Sequence, residues 1–249
     1  MKKKNDTAKA NLARVVLAIA CTAISSSAFA VPYYYTDWTS ANPGAGTAHG
    51  VITLPDSSTV TVDFSAVYGD GTAGSFVGAY TSADWAGWSN YSSDYLSAQV
   101  STIPYPDMLQ LQGGQDQIYK VHLGAAIKDP LMAIVSLGAN GTNTHYNFDS
   151  SFTILSQGYD YWGGCLTCLT QSGNDLIGNE GSGTIKFNGT FSDFSWTVPV
   201  GEYWHGFTFG IRTTEALEPT TPGVPEPASL ALVSVGLLGI GATLKRRRN

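Results

Sequence analysis

Between Thr184 and Trp196 the chain runs TIKFNGTFSDFSW, and apolar residues alternate with polar ones on both sides of Asn188-Gly189. Alternation with period two is typical of a strand with one buried face, and Asn-Gly is strongly preferred in two-residue type I′ turns. The segment therefore predicts a β-hairpin whose register is fixed by burial of its apolar face. Four side chains form that face: Ile185, Phe187, Phe194 and Trp196.

Six further segments have strand patterns: 51–54, 59–65, 117–123, 131–137, 152–155 and 207–211. The first two are predicted to pair across a short loop, and the alternation in 59–65 places Val60, Val62 and Phe64 on one face. Residues 117–123 are predicted to pair with 131–137 around Asp129-Pro130. The continuous apolar run from 131 to 135 is expected of a central, buried strand.

Many short strands separated by turn residues predict an all-β fold, an antiparallel β-sandwich of jelly-roll-like type. The region is rich in Gly, Ser, Thr and Tyr, which favour strands and turns over helices. We expect one secreted domain over residues 31–213, because about 180 residues suffice for a single core. Residues 214–223, rich in Pro, Thr and Glu, predict an extended linker.

The N-terminus has the features of a secretory signal peptide. Basic residues precede a short apolar segment that begins at Val15, and Ala28-Phe29-Ala30 fits an A-x-A cleavage site. Residues 1–30 are therefore predicted to be removed, with Ala28 and Ala30 as the small residues of the cleavage site. A lipoprotein site at Cys21 is the alternative, although the apolar segment before it is short for that purpose.

The C-terminus has three consecutive parts. Pro225-Glu226-Pro227 precedes an uncharged apolar run over 228–244, and four cations follow it: Lys245, Arg246, Arg247 and Arg248. A helix of that length spans about 25 Å, near the lower limit for a bilayer core. The run therefore predicts one transmembrane helix in the inner membrane, and the basic tail predicts a cytoplasmic end.

This order resembles the PEP-CTERM sorting signal of Gram-negative envelope proteins, over residues 224–249. The resemblance implies an exported precursor that is anchored in the inner membrane and processed by an exosortase, a membrane transpeptidase-like enzyme. It further implies delivery to the outer surface or extracellular matrix, in association with exopolysaccharide. The alternative is a plain C-terminal anchor that is never cut.

Removal of both signals would leave residues 31–223 strongly acidic. The region keeps 17 acids, the chain's 19 less Asp6 and Glu226, against four cations, for a formal net charge of −13. Those cations are Lys120, Lys128, Lys186 and Arg212. Such a charge repels nucleic acid and anionic membranes, so we expect no nucleic-acid partner. It could attract calcium, although the EF-hand loop pattern is missing from the sequence.

Cys165 and Cys168 form the one C-x-x-C sequence of the chain. In an exported protein, two nearby cysteines most often close a disulfide, which is our prediction. A redox role would need a thioredoxin-like setting, and a zinc site would need two more ligands at suitable spacing. These roles and a pair of free thiols are the alternatives.

The remaining chemistry-bearing residues match no catalytic pattern. The four histidines are scattered, and the E-x-x-H spacing of Glu202 and His205 precedes a strand rather than lying on a helix. The sequence has no Walker loop, dinucleotide fingerprint or nucleophile elbow. We predict no catalytic residue, no metal site and no cofactor. A glycosidase carboxylate pair stays open, because the required separation is invisible in a sequence.

Aromatic residues are the remaining candidates for binding. They form three clusters: Tyr33, Tyr34, Tyr35 and Trp38; Trp85, Trp88, Tyr91 and Tyr95; Tyr159, Tyr161 and Trp162. They are expected mainly to fill and edge the sandwich, since Trp and Tyr are large and seldom fully buried. Trp85 and Trp88 lie between short polar Gly/Ser stretches. They are therefore the candidate glycan-binding residues, predicted to form an exposed platform.

Three functions follow from these observations. The first is a non-enzymatic envelope or extracellular-matrix protein, sorted by an exosortase and associated with exopolysaccharide. The second is a carbohydrate-binding module that uses surface aromatics. The third is a hydrolase of matrix glycans or proteins. A sandwich fold alone does not choose among them, because such folds host many activities.

Overall fold

The computed structural model describes residues 30–81, 86–104, 107–139 and 141–212. Residues 1–29 of the predicted signal peptide, which include Ala28, lie outside these ranges, as does Trp85. The linker, the sorting motif, the predicted 228–244 helix and its basic tail also lie outside them. Within the described residues, no helix combines the length and apolar character needed to cross a bilayer.

Strands and turns make up the described chain. In chain order the strands are β1 (Tyr34–Tyr35), β2 (Asp37–Asn42), β3 (Thr47–Thr53), β4 (Thr59–Tyr68), β5 (Gly78–Tyr80), β6 (Met108–Leu111), β7 (Gln117–Lys128), β8 (Leu131–Leu137), β9 (Thr144–Phe148), β10 (Phe152–Asp160), β11 (Gly163–Gly164), β12 (Leu169–Ser172), β13 (Asp175–Gly178), β14 (Gly181–Phe187), β15 (Thr190–Thr197) and β16 (His205–Ile211). Among the described residues the α-helical turn is α1 (Gly87–Asn90), and short 3-10 turns cover Pro43–Ala45 and Ser92–Asp94.

These strands form two eight-stranded sheets that face each other as a sandwich, as the sequence predicted. The first sheet has the order β11-β10-β14-β8-β16-β6-β5, with β1 also paired to β16. The second has the order β12-β13-β9-β15-β7-β4-β3-β2. All strand pairs are antiparallel, and the first strand pairs with the last, which closes the unit between Tyr34 and Ile211.

The chain pairs with itself in a nested way around the core. β6 pairs with β16, β7 with β15, β8 with β14 and β9 with β13. Successive members of this series lie in alternate sheets. The segment from β6 to β9 and the segment from β13 to β16 therefore run side by side as they cross from one sheet to the other.

Two predicted strand pairs are wrong for this reason. Residues 117–123 belong to β7 in the second sheet, whereas 131–137 form β8 in the first. The predicted hairpin over 184–196 is likewise split between β14 and β15, which lie in opposite sheets. Only Gly189 has positive φ at the connection, 139°, whereas a type I′ turn needs positive φ at both residues. β14 pairs with β8 and β15 pairs with β7, in place of the predicted pairing of β14 with β15.

The inward faces were predicted correctly even where the neighbours were not. Ile185, Phe187, Phe194 and Trp196 are all buried in the core between the sheets. The Phe187 and Phe194 rings meet across the sandwich with centroids 4.6 Å apart. The predicted pairing of 51–54 with 59–65 is confirmed, and Val60, Val62 and Phe64 are buried.

A second apolar cluster covers the outer face of the first sheet. Met132 and Ile134 on β8 belong to the core between the sheets, whereas Leu131, Ala133 and Val135 belong to the outer cluster. The outer cluster also contains Tyr33, Tyr35, Trp88, Tyr95, Val100 and Met108. Because both faces of β8 are covered, its continuous apolar run is explained, and the predicted central strand is confirmed.

Candidate functional site

An exposed aromatic turn projects between β10 and β11. Asp160 pairs with Gly163 across a two-residue loop, so Tyr161 and Trp162 form its tip. Tyr161 is 73% exposed and Trp162 41% exposed, and their rings meet edge to face with centroids 5.2 Å apart. Gly163 and Gly164 both have positive φ, which lets the chain reverse tightly after two bulky residues.

Asp160 anchors this turn to the sandwich. Its Oδ1 accepts hydrogen bonds from the backbone N–H groups of Trp162 at 2.7 Å and Gly163 at 3.1 Å. Its Oδ2 accepts from the N–H of Ser136 at 3.1 Å and from the Ser182 hydroxyl. Burial raises the pKa of Asp160, and these hydrogen bonds oppose that shift in part. One buried carboxyl therefore fixes the aromatic tip against β8 and β14.

A groove runs along the base of the turn. Its two adjoining cavities, of about 420 and 320 Å³, share Tyr80 and Trp162 in their linings. We call this feature the aromatic groove, since six aromatic side chains line it: Tyr80, Tyr91, Tyr161, Trp162, Tyr203 and Trp204. Trp162 packs against Trp204 with ring centroids 4.3 Å apart, and Tyr203 is 97% exposed.

Two residues with strained backbone lie on the groove. Ser136 and Glu180 have φ of 55° and 58°, a region that L-residues other than Asn and Asp seldom occupy. The register of β8 and β14 shifts at Ser136, which lies in a β-bulge, and Glu180 directly precedes β14. The Ser136 hydroxyl donates to Glu180 Oε2 at 2.8 Å. Strain of this kind is typically retained where it positions functional groups.

A second acid, Glu202, reaches the groove from the segment before β16. Its Oε2 accepts from His205 Nδ1 at 2.7 Å, and both side chains are almost fully buried. The two residues of the E-x-x-H sequence therefore pair with each other inside the protein. Among the described residues, His205 Nε2 and the nearby Tyr146 hydroxyl have no hydrogen-bond partner. Burial, assisted by the charge of Glu202, keeps the pKa of Tyr146 well above its ordinary range.

The cysteines close a disulfide in the loop that follows β11. Cys165 and Cys168 are bonded, with Cα atoms 5.1 Å apart, so the predicted disulfide is confirmed. The carbonyl of Cys168 accepts from the N–H of Asn179 at 3.0 Å. This contact joins the disulfide loop to the residue before Glu180, and the loop thus supports one wall of the groove.

The match to a known family model lies in the C-terminal sequence. Residues 223–248 match the family model described as the PEP-CTERM protein-sorting motif. The chain carries a PEP-CTERM sorting signal. The signal implies an exported precursor that an exosortase processes and sorts to the cell surface. Neither the curated proteins nor the solved structures gave a match to the chain.

The candidate glycan-binding platform of this chain differs from its sequence prediction. Trp88 is 1% exposed, because it lies in the outer apolar cluster and packs edge to face on Tyr95 at 4.7 Å. The predicted exposure of Trp88 is therefore wrong, and Trp85 lies outside the described residues. Of the three aromatic clusters, the one containing Tyr161 and Trp162 is exposed instead.

Two of the scattered histidines join a polar row on the outer face of the second sheet. His49, Asp63, His122 and Asp193 are register neighbours on four adjacent strands. Nδ1–Oδ1 distances are 2.6 Å for the first pair and 2.8 Å for the last. Hydrogen bonds from Ser192 and His122 hold the pKa of Asp193 below its ordinary value. In the described part of the chain, no three His, Cys, Asp or Glu side chains converge to hold a metal ion.

Proposed function

We propose that this chain is an exported, non-enzymatic protein of the outer surface or extracellular matrix that binds polysaccharide in the aromatic groove. The sorting signal supports delivery to the cell surface. The single observation that carries the binding proposal is the exposure of Tyr161, Trp162 and Tyr203 around one groove. Exposed apolar patches framed by polar groups are typical of interaction sites.

The chemistry of the groove suits sugar rings. A pyranose ring has C–H groups on its faces and hydroxyls around its edge, so it needs a flat apolar surface beside hydrogen-bonding groups. Trp162 and Tyr203 supply the first, and Ser136, Glu180 and Asn90 line the same groove and supply the second. An open groove also admits a long chain, which a closed pocket would exclude.

We further assign the sandwich to the jelly-roll class. The nested pairing of β6 with β16, β7 with β15, β8 with β14 and β9 with β13 supports this assignment, because strands of that series alternate between the sheets. Jelly rolls occur in lectin domains and in viral capsids. The class is therefore compatible with glycan binding, but the groove, and not the fold, carries the proposal.

Binding is tested with residues 31–212, which hold every strand of both sheets and the β1–β16 closure. Affinity electrophoresis against polysaccharides of different charge should find at least one ligand. Trp162→Ala and Tyr203→Ala should each weaken binding about tenfold, equivalent to about 1.4 kcal/mol. Tyr68→Ala is the matched control, since Tyr68 is an exposed aromatic on β4 that does not line the groove. Equal losses in the control, or none in the groove variants, would reject the proposal.

The non-enzymatic part has its own test. Bound polysaccharide incubated with the protein should yield no new reducing ends. Turnover that disappears in the Glu180→Gln variant would instead establish a hydrolase and overturn this part of the proposal.

A further inference from the structure

We propose that the aromatic groove selects a polysaccharide that carries free, protonated amino groups over neutral or uronic-acid polymers. This inference rests on the proposed function and adds the charge class of the ligand. It starts from the two acids of the groove lining: Glu180 is half-buried, whereas Glu202 is paired with His205 and almost fully buried. None of the described lining residues is a lysine or an arginine.

The four cations of the mature region lie elsewhere. Lys120 is on the outer face of the second sheet beside the His–Asp row. Lys128 ends β7, Lys186 donates from β14 to Gln99, and Arg212 follows β16. A polymer of uronic acids would therefore bring its carboxylates against acids, and like charges at close range disfavour binding.

The aromatic side chains favour the same ligand class as the acids. The face of an indole ring attracts cations, and tryptophan is the strongest of the aromatic residues in this respect. Trp162 and Trp204 meet at a tilt of 41° in the lining of the groove, which also includes Glu180. A protonated amine on a sugar ring can thus contact an aromatic face and a carboxylate while the ring itself stacks on a neighbouring side chain.

The hydrogen bonding of Glu180 orients its carboxylate. Ser136 donates its hydroxyl to Oε2, and the backbone N–H of Glu180 donates to the carbonyl of Gly138. A carboxylate fixed in this way accepts hydrogen bonds and cannot donate them, so it matches an ammonium group better than an acetamido carbonyl. The selectivity for amines should therefore depend on Glu180, whereas general affinity should depend on Trp162.

The test compares three probes of equal length: glucosamine oligomers, N-acetylglucosamine oligomers and uronic-acid oligomers. Binding to residues 31–212 is measured by calorimetry at a mildly acidic pH, where the amines are protonated. We expect the glucosamine oligomer to bind at least tenfold more tightly than the acetylated one at about 0.01 M salt. The preference should largely vanish at about 1 M salt, where the Debye length falls from about 30 Å to about 3 Å.

Two variants separate charge from stacking. Glu180→Gln keeps an acceptor for Ser136, and it should reduce the ratio of the two affinities, free amine over acetylated, to about threefold or less. Asp116→Asn removes an exposed acid that does not line the groove, and it should leave the preference unchanged. If Glu180→Gln fails to fold, the salt series on the unmodified protein carries the test alone.

The outcomes distinguish this inference from the proposed function. Equal affinity for the free-amine and acetylated oligomers at low salt overturns the charge selection and leaves polysaccharide binding intact. Tighter binding of the uronic-acid oligomer also overturns it. If no polysaccharide of any charge class binds, the proposed function itself is rejected, and the inference falls with it.

Discussion

Asp129 and Gly189 are hydrogen-bonded to each other in both directions. The N–H of Asp129 donates to the carbonyl of Gly189 at 2.7 Å, and the N–H of Gly189 donates to Asp129 Oδ1 at 3.0 Å. Asp129 lies where the chain leaves β7 for β8, and Gly189 lies where it leaves β14 for β15. The β7–β8 and β14–β15 connections, which cross between the sheets next to each other, are therefore hydrogen-bonded to each other.

Asp129→Ala is predicted to destabilise the domain by about 1–2 kcal/mol. It removes the hydrogen bond to Gly189 and places alanine at φ 50°, where aspartate and asparagine are better tolerated. Asp129→Asn is the control, because its amide oxygen can still accept and the backbone conformation suits it. Urea denaturation should give a lower midpoint for the alanine variant alone. Equal midpoints for both variants and the unmodified protein would contradict the role of this contact.

The buried Asp160 predicts a pH dependence of stability. Because burial raises its pKa in the folded state, its protonated form is favoured there. Its contribution is therefore fully present below the unfolded pKa of about 3.9 and is lost as pH rises through the raised folded pKa. Asp160→Asn cannot titrate. The free energy of unfolding of the unmodified protein minus that of the variant should thus fall across this window.

Denaturation curves at intervals between strongly acidic and neutral pH check this prediction. Asp116→Asn is the matched control, because that acid is exposed on the turn before β7. A difference that stays constant with pH, or that grows as pH rises, would mean that burial does not raise the pKa of Asp160 in the folded state.

The disulfide predicts a thiol count and a modest stability effect. After removal of the signal peptide with Cys21, the exported protein should have no titratable thiol until it is reduced. The bond closes a loop of only four residues, so chain entropy gives it about 2 kcal/mol. The Cys165→Ser/Cys168→Ser variant should unfold at lower denaturant by a corresponding amount. Two free thiols in protein purified without reductant would show that the bond does not form in the exported protein.

The sorting signal predicts that the processed protein at the cell surface has a lower mass than its precursor. Intact mass should show loss of residues 1–30 and of the 228–244 helix. Replacement of Pro225-Glu226-Pro227 by Ala-Ala-Ala should leave the precursor in the membrane fraction, because the exosortase no longer recognises it. A scrambled linker over 214–223 is the control and should be processed normally. A full-length helix in both the unmodified protein and the triple-alanine variant would mean a simple membrane anchor.

The sequence predicted which side chains face inward better than which strands are neighbours. Alternation is a local property, so it correctly placed Phe187 and Phe194 in the core. The same inward faces arise whether two strands pair side by side or face each other across a sandwich. Residues 184–196 take the second arrangement because β14 pairs with β8 and β15 with β7. Those partners lie about 50 residues or more away along the chain, beyond the reach of a local pattern.

The groove was missed because exposure was judged from flanking composition. The Gly- and Ser-rich surroundings of Trp88 suggested a surface loop, but that loop packs Trp88 onto the outer face of the first sheet. The better signal was Asp160 followed by two aromatics and Gly163-Gly164. An aspartate before a tight glycine turn commonly bonds the backbone two residues on, which leaves the intervening side chains exposed at the tip.

The position of β16 has a mechanical consequence. The chain passes from Ile211 towards the sorting signal directly from a strand whose residues are all buried and which is bonded to β8, β6 and β1. A pull on the C-terminal tether therefore acts on a strand held on both sides, and not on an edge strand that could peel away one bond at a time. In a membrane-attached precursor, drag on a polymer bound at the groove would load a strand that is paired on both sides.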